Sequence, residues 1–576
     1  MTSSTASLQA HDRALKFASL TDVILMTALW ALSVCLVNPA GNFPLNDDWS
    51  YAITVRDLLQ TGQYRPLGWT SMPLLTNVLW GTLFCLGHGF SFNALRASTL
   101  VAGWLGMIGT YVLARDLRVP RWGALLVALA LGFNAIYYGL SLTYMTDVLF
   151  TTLVIWAAVF LARMLSSGSA VELAIGTALA LAAMLSRQLA LCLPVAFCVI
   201  ELTRQRINVC TLLRSCVPLL ICASGYLGFN LWLSASGRVP ALYSVESSQL
   251  SFELQHPSYL GVLVLTNLFL VPVMLGLFLA PVMLACMPHL VRSARRMTPG
   301  RAGALSAGLL LVLVGGWVRL LAHLDVRVPM QMNGNILVPS GLGPLTLRDA
   351  LILKQPDMTA LPALFWTAAT VVGLLGAGIY ILALTDCIGR TLPASPPATP
   401  PRDEERSVRF LLLGGLLYLV PLLLAPFVFD RYLIPLIPLL GTAVLALARR
   451  RAAALIDKPA VVGSLAYVLL AGFGLFAIGA AHDYVAWNRV RWQALEELTV
   501  RHHVPISEID GGFEFNGWFG YDAAYQRQPG HSWWWVHDDT YLVSFGPVPG
   551  YLVYREYPYT TWLPPHQPEV AVLLRR

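Results

Sequence analysis

Charge is what this chain has least of. Asp, Glu, Lys and Arg make up only 12% of its 576 residues, where soluble domains carry roughly 25%. That excludes an ordinary cytosolic enzyme and a disordered chain, since both rely on charge for solvation. Lysine is almost missing: 3 Lys stand against 35 Arg, an imbalance we read as genomic base bias and not as chemistry. The net charge of +7 is scattered along the chain, so a nucleic-acid binder of the basic-patch type is excluded as well. Cysteine is sparse, with nine residues and none beyond Cys387. No pair has zinc or redox spacing, and most lie inside apolar runs. Neither a disulfide framework nor a structural zinc site is expected. A cleavable leader is also missing. Met1 to Leu20 is polar, and the apolar run that follows lacks a small-residue cleavage site, so it reads as an uncleaved span.

Apolar residues are abundant, at 56% with a mean hydropathy of +0.63. A spanning helix needs about 20 predominantly apolar residues. Thirteen runs qualify, near 20–37, 93–114, 121–140, 147–164, 170–185, 187–203, 211–235, 259–286, 303–322, 360–386, 409–428, 432–448 and 460–481. A further run, 71–90, is interrupted by Pro73, Asn77, Gly81 and Gly87 to Gly89. Basic residues decide its status. If it does not span and the N-terminus is cytoplasmic, 21 basic residues fall in the inner turns and 10 in the longer outer loops. If it spans, every later basic turn moves outward. The expectation is therefore thirteen spans, with 71–90 at the outer interface inside a long first loop, 38–92.

The thirteen spans place the C-terminus outside. Residues 482–576 alternate aromatic and polar residues, as in Tyr541-Leu542-Val543 and Tyr551-Leu552-Val553-Tyr554, with turn signals at Gly511-Gly512 and Gly546-Pro547. They predict a small α/β domain. The chain accordingly divides into a membrane domain, 1–481, and an extracytoplasmic domain, 482–576. Only Pro393 to Arg406, proline-rich and charged, reads as a disordered linker.

Ionisable residues at membrane depth are functional candidates, because burying them is costly. Four outer-face positions stand out. Asn46-Asp47-Asp48-Trp49-Ser50-Tyr51 follows the first span, and neighbouring carboxylates cannot share one helix face. One can point into a cavity while the other caps the helix beginning near Trp49. Asp147 in Thr143-Tyr144-Met145-Thr146-Asp147 opens the fourth span, as an acid or as a helix cap. Arg187 lies between the fifth and sixth spans. Asp430-Arg431-Tyr432 lies between the eleventh and twelfth, where the two charges can also compensate each other. Together these put carboxylates and two arginines at one face, a pattern that suits a lipid phosphate and a hydroxyl nucleophile. Glu246, Glu253 and His256 are too dispersed for metal-site spacing, so no cofactor is firmly expected and a divalent metal stays open. Trp533 to Trp535 and the His502-His503 pair read as packing and interface residues.

These stretches, with Leu58-Leu59-Gln60-Thr61-Gly62, Ala94-Leu95-Arg96, Leu185-Ser186-Arg187-Gln188 and Arg431-Tyr432-Leu433-Ile434-Pro435, resemble the GT-C glycosyltransferases. Within them the chain looks like the bacterial relatives of protein O-mannosyltransferases (glycosyltransferase family 39) and of the aminoarabinose transferase of lipid A. The likeness covers roughly residues 20–450. It implies a GT-C-type polytopic all-α membrane fold with interface helices in the first outer loop, in the bacterial cytoplasmic membrane. It also implies a polyprenyl-phosphate sugar donor, a lipid, glycan or protein acceptor, and inverting transfer of a hexosyl or pentosyl group. Asp47 maps onto the general base, Asp48 onto the second acid and Asp147 onto the acid opening span four. With these go Arg187 and Arg431 for the donor phosphate, and Tyr51, Tyr144 and Tyr432 for substrate. The stretch Gly68 to Leu74 departs from the family's pattern, lacking its histidine. A flippase or transporter of a lipid-linked sugar is the alternative. It predicts a hydropathy repeat between halves, and none is seen. A scaffold that binds a partner would leave Asp47, Asp147, Arg187 and Arg431 unexplained.

Overall fold

The computed structural model describes residues 2–203, 208–294, 300, 303–304, 307–308, 314–315, 335–344, 347, 353, 355–391, 403–451, 461–532 and 534–576. The apolar runs fold as helices because lipid offers no partner to a backbone N–H or C=O, so each segment must satisfy its own. From the N-terminus, α1 (Thr2–Val37) precedes two shorter helices, α2 (Asp48–Thr61) and α3 (Leu75–Cys85). Then come α4 (Phe92–Asp116), α5 (Arg121–Gly132), α6 (Ala135–Ser141), α7 (Thr146–Ser167) and α8 (Ala170–Met184). Among the described residues nine helices are long and apolar enough to cross a membrane, beginning with Ser19–Val37 and ending with Val461–Arg501.

Twelve of the thirteen predicted runs are helical, some in refined form. Run 121–140 is a broken span, α5 and α6 meeting at 59°. Asn134 causes the break: its side chain accepts the N–H groups of Ile136 at 3.1 Å and Tyr137 at 3.2 Å, which starts a new helix there. Runs 170–185 and 187–203 are the short helices α8, of 15 residues, and Gln188–Leu202. Run 303–322 lies mostly outside the described residues. Run 71–90 holds only α3, whose 11 residues reach about 16 Å at ~1.5 Å per residue, roughly half the hydrocarbon thickness. The predicted linker starts its helix early: Asp403–Leu424 is helical, and Arg406 pairs with the buried Glu201. Helices Pro257–Ala294 and Ala363–Thr391 pack backbone to backbone. A Cβ on Gly276 would overlap the Gly373 carbonyl, so only glycine fits there.

The expected boundary at 481/482 falls inside one unbroken helix, Val461–Glu496. Beyond it lies a four-stranded sheet in the order Ile509–Asp510, Tyr541–Ser544, Glu569–Arg575, Tyr551–Pro558. The first pair is parallel, with Ile509 opposite Tyr541, and the other two pairs are antiparallel. A parallel pair cannot be joined by a hairpin. Its crossover carries the short helix Phe513–Gly520. Val543, Val570 and Val572 of the sheet pack on Trp487, Leu495 and Leu498 from the end of the long helix. The α/β character predicted for this region is present. Trp534 and Trp535 are in a turn of the same crossover, not in a strand.

Candidate active site

The site is built on the turn after α1. Arg96, buried in α4, donates to the carbonyls of Pro39, Gly41 and Phe43 and folds the chain back over the helix ends. Asn46 then takes a left-handed conformation, φ 58°, which asparagine tolerates better than most residues. Its N–H donates to Glu514 Oε1 at 2.9 Å. Glu514 Oε2 accepts both terminal nitrogens of Arg491 at 2.9 Å, and both side chains of that pair are fully buried. The chain leaves this turn with Asp47 just ahead of α2.

The two adjacent carboxylates separate as expected, but not through helix capping. Asp47 holds the N-cap position of α2 and makes no capping bond. Asp48 is the first helical residue, and its side chain turns inward. Oδ1 accepts the Leu45 N–H at 2.6 Å, and Oδ2 accepts the Tyr144 N–H at 3.1 Å. Asp48 therefore ties the loop before α2 to the loop before α7. Burial pushes its carboxyl well above the usual carboxylate range, against the pull of the Tyr144 N–H, Arg96 and the Leu45 N–H. The Tyr144 hydroxyl donates to the Asn77 carbonyl at 2.6 Å, so its ring serves the packing of α3.

Asp47 keeps 19% of its side chain exposed and meets two groups. Trp69 Nε1 donates to Oδ1 at 3.1 Å, and Arg431 Nη2 stands 3.8 Å from Oδ2. Burial raises the Asp47 carboxyl above its ordinary value. Arg431 and the Trp69 N–H pull it back, and Glu514 and Asp147 push it further up. Tyr51, one turn into α2, is buried and feels Asp47, Arg187, Arg431 and Asp147.

Asp147 is not a cap either: Met145 holds the N-cap position of α7, and Asp147 pairs with Arg187 at 2.7 Å. Arg187 sits in extended backbone, φ −147°, where α8 has ended and the Gln188–Leu191 turn begins. Its Nε donates to the Thr146 hydroxyl at 3.0 Å. This arginine is therefore already matched by a carboxylate, where a cation free for an anion was expected. The other Asp147 oxygen, Oδ2, is buried with no hydrogen-bond partner among the described residues. The Tyr432 ring stands between the two cations, 5.1 Å from the Arg187 guanidinium and 5.7 Å from that of Arg431. The Asp430 carboxylate is engaged by backbone as well as by the charge of Arg431. It accepts the N–H groups of Ile336, Leu337 and Arg431, and so fastens the 335–344 segment to the arginine turn.

The structure thus brings Asp47, Asp147, Arg187, Arg431, Tyr51 and Tyr432 together, and leaves Asp48 and Tyr144 to their support. Among the described residues no three His, Cys, Asp or Glu converge as metal ligands. The side chains of Glu246 and Glu253 lie outside the described residues, and His256 is exposed against the Phe252 carbonyl. The Trp533 side chain is likewise outside them. Three residues of the site escaped the sequence reading: Trp69, Glu514 and Arg491. Trp69 lies in the very stretch that lacks the family's histidine. Glu514 had a signal, an acid between two phenylalanines.

No protein-family profile matches the chain, and no curated protein matches it. It is similar to the solved structure of ArnT from Cupriavidus metallidurans bound to undecaprenyl phosphate, with a TM-score of 0.46 and 12% identity over 86% of this chain and 84% of that one. ArnT in the apo state scores 0.40 at 12% identity over 97% and 98%. The archaeal oligosaccharyltransferase AglB from Archaeoglobus fulgidus, in complex with an inhibitory peptide and a dolichol-phosphate, scores 0.39 at 15% identity over 86% of this chain and 59% of that one.

Proposed function

We propose that the chain is an integral-membrane glycosyltransferase that moves a hexosyl or pentosyl group from a polyprenyl-phosphate donor to an acceptor hydroxyl, with inversion. One observation carries the reading: a partly exposed carboxylate, Asp47, faces a cation, Arg431, at 3.8 Å. A hydroxyl is a poor nucleophile, and a positioned base contributes about 10²–10⁴-fold by taking its proton. The acceptor oxygen forms its bond to the anomeric carbon as the carbon–phosphate oxygen bond breaks. The proton goes to Asp47 and the electron pair leaves with the phosphate. Attack opposite the leaving group inverts the centre. Fixed cations meet the charge that develops on the phosphate. Arg431 supplies one. Arg187, braced by Asp147 and Thr146, keeps other donors of its five-donor fork for a second contact.

In this reading residues 1–481 form the catalytic membrane domain of a bacterial cytoplasmic-membrane enzyme. The N-terminus is cytoplasmic, and residues 482–576 and the reaction are extracytoplasmic. Single cysteines at Arg118 and Arg295, in a chain cleared of its native ones, test the orientation. Reaction of both with an impermeant reagent added from outside refutes it. The reaction is tested by comparing surface glycans and lipids by mass spectrometry in cells carrying the wild type or Asp47→Asn. Loss of one sugar modification with the variant is the expected result. An Asp47→Asn protein as active as the wild type removes the base and favours the transporter reading.

A further inference from the structure

The turn that carries Asp47 is held from the far end of the sequence. The helix Phe513–Gly520 lies more than 460 positions from Asp47 and touches the turn that carries it at three adjacent points. Glu514 accepts the N–H of the left-handed Asn46 at 2.9 Å. Phe513 packs on Trp69, centroids 5.9 Å apart, and Trp69 donates to Asp47 itself. Gly517 lies against Trp49, the second residue of α2, so closely that a Cβ would meet the indole. Phe513 and Trp535 also meet the Trp49 ring edge-on at 5.8 and 5.3 Å.

Each contact has a directional consequence. A left-handed non-glycine residue is held only where its surroundings over-determine it, and the Glu514 acceptor is one of those constraints. An indole fixed between Phe513 and Trp535 presents its N–H along one line. A carboxylate with one fixed donor and a fixed backbone has one orientation. Glu514 is itself held by Arg491 from the long helix Val461–Glu496, in a pair with no exposed surface. The chain of contacts runs from Arg491 through Glu514 and Asn46 to Asp47, and it ends on the only partly exposed carboxylate of the turn.

We infer that the Phe513–Gly520 helix is a positioning element for Asp47, with Glu514 holding the backbone turn and Trp69, clamped by Phe513, aiming the carboxylate. This rests on the glycosyltransferase reading only for its kinetic consequence; the mechanical claim stands without it. Glu514 touches no reacting atom, so its effect belongs to turnover and not to donor affinity.

The test uses the full-length protein in lipid nanodiscs with two readouts. Hydrogen exchange by mass spectrometry follows residues 44–52, and transfer kinetics follow kcat and the donor KM. In Glu514→Ala, exchange at 44–52 rises at least tenfold and kcat falls about tenfold or more with donor KM nearly unchanged. Glu514→Gln combined with Arg491→Met keeps an amide oxygen for the Asn46 N–H and leaves no buried charge alone. Relative to Glu514→Ala, this conservative pair should recover at least part of both the exchange protection at 44–52 and kcat. Should Glu514→Ala fail to fold, Trp69→Phe keeps the ring packing and removes one N–H. Losing that donor moves the acid limb of the pH–rate profile to higher pH. The groups facing Asp47 that the limb also senses are Arg431, Glu514 and Asp147, with Tyr51 beside them. A folded Glu514→Ala protein with wild-type exchange at 44–52 overturns the positioning claim, whatever the reaction. Raised exchange in a protein whose wild type transfers no sugar supports the positioning claim and overturns the glycosyltransferase reading alone.

Discussion

Two sets of buried carboxylates sit at opposite ends of the helical bundle, and they are treated differently. Near the start of the first span, Asp22 is fully buried and saturated. It receives three hydrogen bonds from Arg121 at 2.7 to 2.9 Å and one from the Tyr111 hydroxyl at 2.6 Å. Beyond the far end of α1, which lies about 22 Å along its axis from Asp22 by ~1.5 Å per residue, Asp47 has one donor and a cation at 3.8 Å, and Asp147 keeps one oxygen with no partner among the described residues. A buried carboxylate with all its acceptor sites filled is a tie between helices. One with sites left open is set up to take a proton or a hydrogen bond from something that arrives. In the proposed reading it is this difference in saturation, more than the presence of charge, that separates the reacting end from the structural one.

That contrast can be broken most directly at the acids themselves. Asp47→Asn is expected to lower turnover about 10²–10⁴-fold with donor binding kept, and Asp22→Asn to leave turnover within about threefold of wild type. Equal losses in single-turnover assays would erase the distinction. Next in size is Arg187→Ala, which strands the buried Asp147. Removing one partner of such a pair costs about 3–5 kcal/mol, read as a lower melting temperature in nanodiscs. Pairing it with Asp147→Asn should recover much of that loss. If it recovers none, the pair is not what holds this end together.

Arg431 sharpens the comparison at intermediate size. Arg431→Lys keeps a charge and loses the planar fork. Donor affinity should fall about tenfold, or ~1.4 kcal/mol, by titration with a polyprenyl phosphate. Arg431→Gln removes the charge that holds the Asp47 carboxyl down. The base works only when deprotonated, so activity is present above its pKa and lost as pH falls through it. Because burial already raises that pKa above the ordinary aspartate value, the wild-type acid limb is displaced upward, and Arg431→Gln moves it higher still. A limb that moves down instead would place another group in control. The smallest effect belongs to the saturated end. Arg121 is 53% exposed, so Arg121→Lys should cost about 1 kcal/mol or less and leave turnover alone.

Much of this was legible in the sequence because an apolar chain makes its charges conspicuous. Asp47, Asp147, Arg187 and Arg431 stand out against helices that tolerate no unpaired ion, and twelve of the thirteen apolar runs are seen as helices. What was not legible is who faces whom. Nothing local tells that Asp147 and Arg187, 40 positions apart, form one pair, or that Asp48 reaches the Tyr144 N–H instead of its own helix end. The break at Asn134 carried a signal, a capping residue inside an apolar run. Trp69 carried almost none, and the signal at Glu514, an acid between two phenylalanines, did not name its partner, since an acid and an indole in aromatic surroundings fit core packing equally well until the two ends of the chain meet.

The shortness of α8 has a consequence for the lipid around it. Its 15 residues span about 22 Å, against a hydrocarbon layer of ~30 Å, and Arg187 follows at once. A helix that stops short leaves a collar where the bilayer must pinch inward or let water descend beside the arginine. The cost of that deformation is fractions of a kcal/mol per Å of mismatch, so it grows with acyl-chain length. The expected outcome is a dependence on membrane thickness: in vesicles of increasing acyl length, the Arg187–Asp147 region is drawn deeper into lipid and its access to water narrows.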